Sequence, residues 1–124
     1  VMQPLGKIAT ARLEDSVREV IIRMSERPLG AACVMDATNS LLGILTDGDV
    51  RRLLAKDGEV LSSPVGDCMS VEPICIVPET KLGEALRIME DRTSQISVLP
   101  VVAEGSRIVL GLLRLHDAYQ PGLL

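Results

Sequence analysis

Aromatic residues are nearly missing from this chain: Tyr119 is the single one among 124 residues, with no Phe and no Trp. Such a protein offers no platforms on which unpaired bases could stack, and its core must be built from Leu, Ile, Val, Met and Ala. Histidine is as scarce, with His116 alone, and the three cysteines, Cys33, Cys68 and Cys75, show no Cys-x-x-Cys spacing. An odd, scattered set of thiols indicates neither a disulfide framework nor a zinc ribbon, so no metal site is expected and the thiols read as reduced, in the cytoplasm. No apolar run reaches the roughly 18 residues that span a bilayer, and the first residues lack the basic-then-apolar order of a signal peptide, so no membrane partner is expected. G-x-S-x-G and Walker-type motifs are absent, and the paired carboxylates Asp47 and Asp49 read as part of a helix cap, so no catalytic residue is expected. Thirteen basic against seventeen acidic residues give a net charge of −4, which opposes nucleic-acid binding.

What is present begins with 47% hydrophobic residues in a length that suits one domain, enough to bury about two-thirds of the unfolded surface. The start at Val1 rather than Met suggests a piece of something longer. The most informative stretch is LGILTDGDVRRLL, residues 42–54. Its apolar Leu42, Ile44 and Leu45, with Leu41 before them, fit a short buried strand, and Val50, Leu53 and Leu54 recur at helical spacing behind it. Between them Thr46 and Asp49 form a capping-box pattern, and Gly48 leaves one side of the corner without a Cβ. Two readings stand together here: a well-capped strand-to-helix turn, or a polyol site in which Thr46 and the Asp49 carboxylate hold vicinal hydroxyls.

The order strand, helix, hairpin, helix occurs twice. Ser16 and Glu19 cap a helix whose Val17, Val20, Ile21 and Met24 make one apolar stripe, followed by strands over 31–35 and 41–45. Past a Ser-Ser-Pro-Val-Gly linker, Leu82, Ala85, Leu86 and Met89 repeat that stripe. Residues 96–102 and then Leu110 to Leu113 repeat the hairpin, and Asp117 falls on Asp49. The second copy is longer, and the turn near Glu104, Gly105 and Ser106 is expected to absorb the extra residues. The expectation is an α/β fold of two pseudo-symmetric βαββα repeats, 1–60 and 61–124, packed as one unit because neither half buries a sufficient core alone.

With two copies in register, LGILTDGDV and VGDCM resemble the signatures of a tandem CBS pair, the Bateman module. The wording GILTDGDVRRLL and the ending GLLRLHDAYQPGLL are similar to the regulatory half of bacterial arabinose-5-phosphate isomerases, which place a sugar-isomerase domain first and make a precursor of Kdo, a lipopolysaccharide sugar. That resemblance implies a non-catalytic fragment, a homodimer, and clefts between the repeats for a small-molecule nucleotide. One cleft would take Thr46, Gly48 and Asp49 with Cys75, Ile76, Ile96 and Ser97 opposite. The other would take Arg114, His116 and Asp117 with Thr10, Ala11, Ala31 and Ala32 opposite. Arg114 departs from the hydroxyl residue that the signature prefers. A guanidinium there suits a phosphate or carboxylate, which points to a cytidine sugar nucleotide such as CMP-Kdo, with AMP or ATP as the other class. The alternatives are a ligand-free oligomerisation module, or an adenine-nucleotide sensor of an unrelated protein. Asp117 could equally cap a helix.

Overall fold

The structure, a computed structural model, describes residues 2–56, 58–71, 73–90 and 98–115. Strand β1 (Gln3–Pro4) and β2 (Ala9–Ala11) lead to helix α1 (Val17–Glu26), the hairpin β3 (Ala31–Met35) and β4 (Leu41–Thr46), and helix α2 (Asp47–Lys56). The second half gives β5 (Ser70–Val71), α3 (Leu82–Glu90), β6 (Val98–Val102) and β7 (Val109–Arg114). The Ser16 hydroxyl accepts the Glu19 N–H at 3.2 Å and donates to the Glu19 carboxylate at 3.1 Å, which starts α1 where the capping pattern predicts. Met24 and Met89 are buried on the helix stripes, so both serve packing.

Two sheets form, β2-β3-β4-β5 and β1-β7-β6, and each contains a strand from the other half. β5 pairs antiparallel with β4 through Val71 opposite Gly43, while β1 pairs antiparallel with β7 through Pro4 opposite Gly111. The crossings need glycine. A Cβ on Gly43 would sit 2.5 Å from the Met69 sulfur and 2.7 Å from the Ser70 carbonyl, and one on Gly111 would collide with the Gln3 carbonyl and lie 3.0 Å from the Met2 sulfur. Both hairpins carry a register shift at matching places, between Val34 and Met35 and between Val101 and Val102.

The sheets face each other across Ile8, Ala31, Cys33 and Ile44 from one side and Val98, Val109 and Leu112 from the other. Each fully buried aliphatic in such a layer contributes about 1.5–3 kcal/mol relative to an exposed one, so the repeats hold one another folded. The hairpin turns also meet. Leu41 N–H donates to the Arg107 carbonyl at 2.8 Å and Val109 N–H to the Asn39 carbonyl at 3.0 Å. On the outer faces, α1 and α2 cover the first sheet and α3 covers the second. Among the described residues no helix is long and apolar enough to cross a membrane.

Two sequence expectations change. The Ser-Pro-Gly stretch is a packed element rather than a linker: 3-10 turns span Gly58–Ser62 and Val65–Asp67, with Val65 fully buried against α1. Its backbone bonds Asp15 and Leu13 instead of solvent, which explains how so polar a sequence stays ordered. The extra length of the second repeat is also distributed differently. Ala31 and Val98 are equivalent, since each pairs with the last residue of the next strand, Thr46 and Arg114. Most of the added residues therefore lie between α3 and β6, and only one in the hairpin turn.

Candidate functional site

The Thr46 corner forms because β4 ends where its neighbour β3 begins, opposite Ala31, and the chain must turn outward into α2. The Asp49 carboxylate accepts the Thr46 N–H at 3.0 Å, and the Thr46 hydroxyl accepts the Asp49 N–H at 3.1 Å, a reciprocal capping box. The second Asp49 oxygen accepts from Arg52 at 2.5 Å. That pair is asymmetric in exposure: the Asp49 side chain is 15% exposed and Arg52 is 71% exposed, so a ligand could displace the guanidinium at small cost. Guanidinium nitrogens of Arg52 and Arg51 come within 3.4 and 3.8 Å of where a Gly48 Cβ would be. Asp47 N–H donates to the Gly30 carbonyl at 2.9 Å, and a Cβ on Gly30, which is at φ +89°, would lie 3.7 Å from the Val98 side chain of the second repeat. A carboxylate, a hydroxyl and two guanidiniums thus gather at this corner.

A second site runs along the edge of β2. It is a cleft of about 560 Å³, within the range that holds small-molecule ligands. Leu5, Ile8 and Met35 form its apolar side, and Thr10, Arg12, Asp15, Arg23 and Arg27 its polar side. β2 ends its sheet among the described residues, so its carbonyls need donors. Arg23 donates to the Thr10 carbonyl at 3.1 Å and Arg27 to the Gly6 carbonyl at 2.6 Å, while Arg12 reaches the Met35 and Asp36 carbonyls. Each guanidinium has five N–H donors, and these bonds use few of them. Asp15 accepts the Arg12 N–H at 2.9 Å and Arg23 at 2.6 Å, and these hydrogen bonds hold its carboxyl below the ordinary range. Asp15 is the one carboxylate in the lining, with Glu19 3.6 Å from Arg23 and Asp36 in electrostatic reach of Arg12, so what suits the cleft to an anion is the number of guanidinium N–H donors that converge on it rather than a net charge.

The residues expected for the two clefts fare unequally. Thr46, Gly48 and Asp49 come together at one corner, and Thr10 and Ala11 line the arginine cleft. Cys75 lies against the inter-sheet core, donates to the Pro73 carbonyl at 3.3 Å and has an Arg107 nitrogen at 3.7 Å. Ile76 faces the other way, into the α3 core. Ala31 and Ala32 are fully buried on opposite faces of their strand, so neither side chain offers surface to a ligand. Cys33 beside them is sealed as well, and burial pushes its thiol up to about 12. Arg114 ends β7 opposite Val98, at the register position that Thr46 holds in the first repeat. Ile96, Ser97, His116 and Asp117 lie outside the described residues. Arg12, Arg23 and Arg27 were not singled out by sequence; their signal is that all three flank the edge strand. Among the described residues no cluster of His, Cys, Asp or Glu could hold a metal ion.

The family model for the CBS domain matches this chain twice, over residues 1–56 and 65–120. The chain belongs to the CBS domain family. It is a CBS pair, and the two matched segments carry the two pseudo-symmetric halves described above. Among its relatives, an uncharacterized protein of Chlamydia pneumoniae is 38% identical over 99% of this chain and 38% of its own length. Arabinose 5-phosphate isomerase GutQ of Escherichia coli K12 is 32% identical over 94% of this chain and 35% of its own length. This CBS pair thus spans little more than a third of the curated relatives it matches. In fold it is similar to CBSX2 of Arabidopsis thaliana in complex with AMP, at TM-score 0.80 and 22% identity over 98% of this chain and 92% of that one. It is also similar to the cytosolic domain of the Mg2+ channel MgtE in complex with ATP, at TM-score 0.75 and 24% identity over 94% and 45%.

Proposed function

We propose that this CBS pair is the regulatory nucleotide-binding module of a D-arabinose 5-phosphate isomerase acting in Kdo and lipopolysaccharide precursor synthesis in the cytoplasm. The repeats 1–60 and 61–124 share the ligand, and catalysis belongs to a separate sugar-isomerase domain. The observation that carries the reading is the arginine-lined cleft beside Thr10 and Ala11, whose guanidinium donors suit an anionic ligand. The relationship to GutQ supports the parent enzyme, and the AMP and ATP complexes of fold neighbours support a nucleotide. Within that class we favour a cytidine sugar nucleotide such as CMP-Kdo over AMP or ATP, because phosphate and carboxylate together match Arg12 and Arg23 in this cleft and Arg114 at the end of β7. Ile22, 54% exposed on α1, and Leu54, 45% exposed on α2, support a homodimer formed through the helices, which alone would be the oligomerisation reading.

The test is calorimetric titration of the chain with CMP-Kdo, AMP and ATP, repeated on Arg12→Ala and Arg114→Ala. CMP-Kdo is expected to bind tightest, and loss of a charged hydrogen-bond donor to weaken it by about 1.5–3 kcal/mol. Tight adenine-nucleotide binding, no CMP-Kdo binding and no effect of either substitution would overturn the end-product reading.

A further inference from the structure

The two repeats present the same backbone edge and line it with different side chains. Ala11 pairs with Val34 as Ile76 pairs with Val101, both in parallel, so Cys75 stands in the second repeat where Thr10 stands in the first. The next residue is fixed alike in both: Arg12 N–H donates to the Asp15 carboxylate at 2.9 Å, and Val77 N–H donates to the Thr80 hydroxyl at 3.2 Å. The hairpin turns correspond too. Leu41 N–H donates to the Arg107 carbonyl and Val109 N–H to the Asn39 carbonyl, which makes Arg107 the counterpart of Asn39. At the same sequence offset Val77 replaces Arg12, Thr80 replaces Asp15 and Ile88 replaces Arg23, while the counterpart of Arg27, Arg92, lies outside the described residues. Two of the three guanidiniums that line the first edge are therefore apolar side chains at the second.

A different guanidinium reaches the second edge, and it comes from the turn. Asn39, with its short side chain, leaves open the cleft of about 560 Å³ beside Thr10. Arg107, in the corresponding place, folds back over the strand: its Nε–H donates to the Leu41 carbonyl at 3.4 Å and a terminal N–H to the Cys75 Sγ at 3.7 Å. The Cys75 thiol accepts that bond while giving its own proton to the Pro73 carbonyl at 3.3 Å. We propose, on the reading of the arginine cleft as the nucleotide site, that Arg107 is the chain's own occupant of the second edge, so that the pair takes one nucleotide per chain, at Thr10 and Ala11. A ligand lying on Cys75 and Ile76 has to displace the guanidinium and leave two acceptors without their donor. It then meets Val77 and Ile88 where the first edge offers N–H donors. With one site in each chain, any cooperativity has to come from contact between chains rather than between clefts.

The experiment titrates the chain with ATP, AMP and CMP-Kdo by calorimetry and follows the backbone amides by NMR. The unaltered chain is expected to take one equivalent of the tightest of these, with shifts at Thr10 and Ala11 and none at Cys75 and Ile76. Arg107→Asn, which installs the residue of the first turn, should admit a second equivalent that shifts Cys75 and Ile76. Arg107→Ala should do the same, and because Arg107 is exposed both variants should keep the fold. Two equivalents in the unaltered chain, shifts there at Cys75 and Ile76, or no added equivalent in either variant would each overturn the proposal. No binding to the unaltered chain, with one equivalent at Cys75 and Ile76 in the variants, would refute the arginine cleft and uphold Arg107 as the occupant. One equivalent at Thr10 in all three chains would do the reverse, and no binding in any of them would refute both.

Discussion

Asp49 separates a structural cap from a ligand-holding carboxylate, because the two roles load different measurements. Its oxygens serve the Thr46 N–H at 3.0 Å and Arg52 at 2.5 Å. Asp49→Ala leaves the Thr46 N–H, in a half-buried setting, without its acceptor, a loss of about 1–2 kcal/mol. The ion pair adds about 0–1 kcal/mol at most, since Arg52 is 71% exposed and water screens it. Unfolding by urea should therefore show a loss near 1–2 kcal/mol for alanine and less for Asp49→Asn, whose amide oxygen still reaches Thr46. If the carboxylate also holds a ribose, calorimetry should show nucleotide affinity falling by about 1.5–3 kcal/mol, roughly 10- to 150-fold in Kd, for both variants. The asparagine variant decides the matter, being nearly stable yet stripped of charge. Unchanged nucleotide affinity in folded Asp49→Asn and Asp49→Ala would refute the ribose role and leave the residue as a cap alone.

Gly111→Ala should cost about 1–3 kcal/mol in urea unfolding, because the new Cβ collides with the Gln3 carbonyl, whereas Gly83→Ala, in open space in the first turn of α3, should gain about 0.5–1 kcal/mol. A neutral Gly111→Ala would mean that β1 yields without loss. Asp15 has a folded-state carboxyl held below its ordinary value by the Arg12 N–H and then by Arg23. Its contribution is complete above the unfolded value of about 3.9 and is lost as pH falls through the lower folded value. Asp15→Asn should accordingly flatten the acid limb of a stability-versus-pH curve below pH 4, and an identical limb in both chains would contradict the assignment.

Most of the fold could be read from residue patterns because its long elements carry periodic signals. The stripes at Val17, Val20, Met24 and Leu82, Ala85, Met89 set the helices, and Ser16 with Glu19 set a boundary. The exchange of β1 and β5 between the halves was hidden. Each is only two residues long, too short to show alternation, and the only trace of their crossing is a glycine in each hairpin strand. Val65 was hidden for a related reason. A single apolar residue between Pro64 and Gly66 reads as a turn, and its burial depends on a groove formed by the helix and sheet of the other half.

The site was legible where chemistry and backbone coincide, at Thr46 and Asp49, and obscure where it depends on which face of a strand looks out. Ala31 and Ala32 occupy neighbouring positions in a continuous apolar run, and such a run has no polar partner face to reveal burial on both sides. Arg23 and Arg27 read in the sequence as the solvated side of an amphipathic helix. What turns them into a site is that β2 ends its sheet: the Thr10 carbonyl of that edge and the Gly6 carbonyl of the turn before it draw the guanidiniums down, which aligns a row of donors along one cleft. Arg12, the residue after the strand, closes that row. The same bonds that protect the edge from pairing with another chain therefore preorganise the charge, so an anion entering the cleft finds its donors already positioned and need not order three flexible side chains.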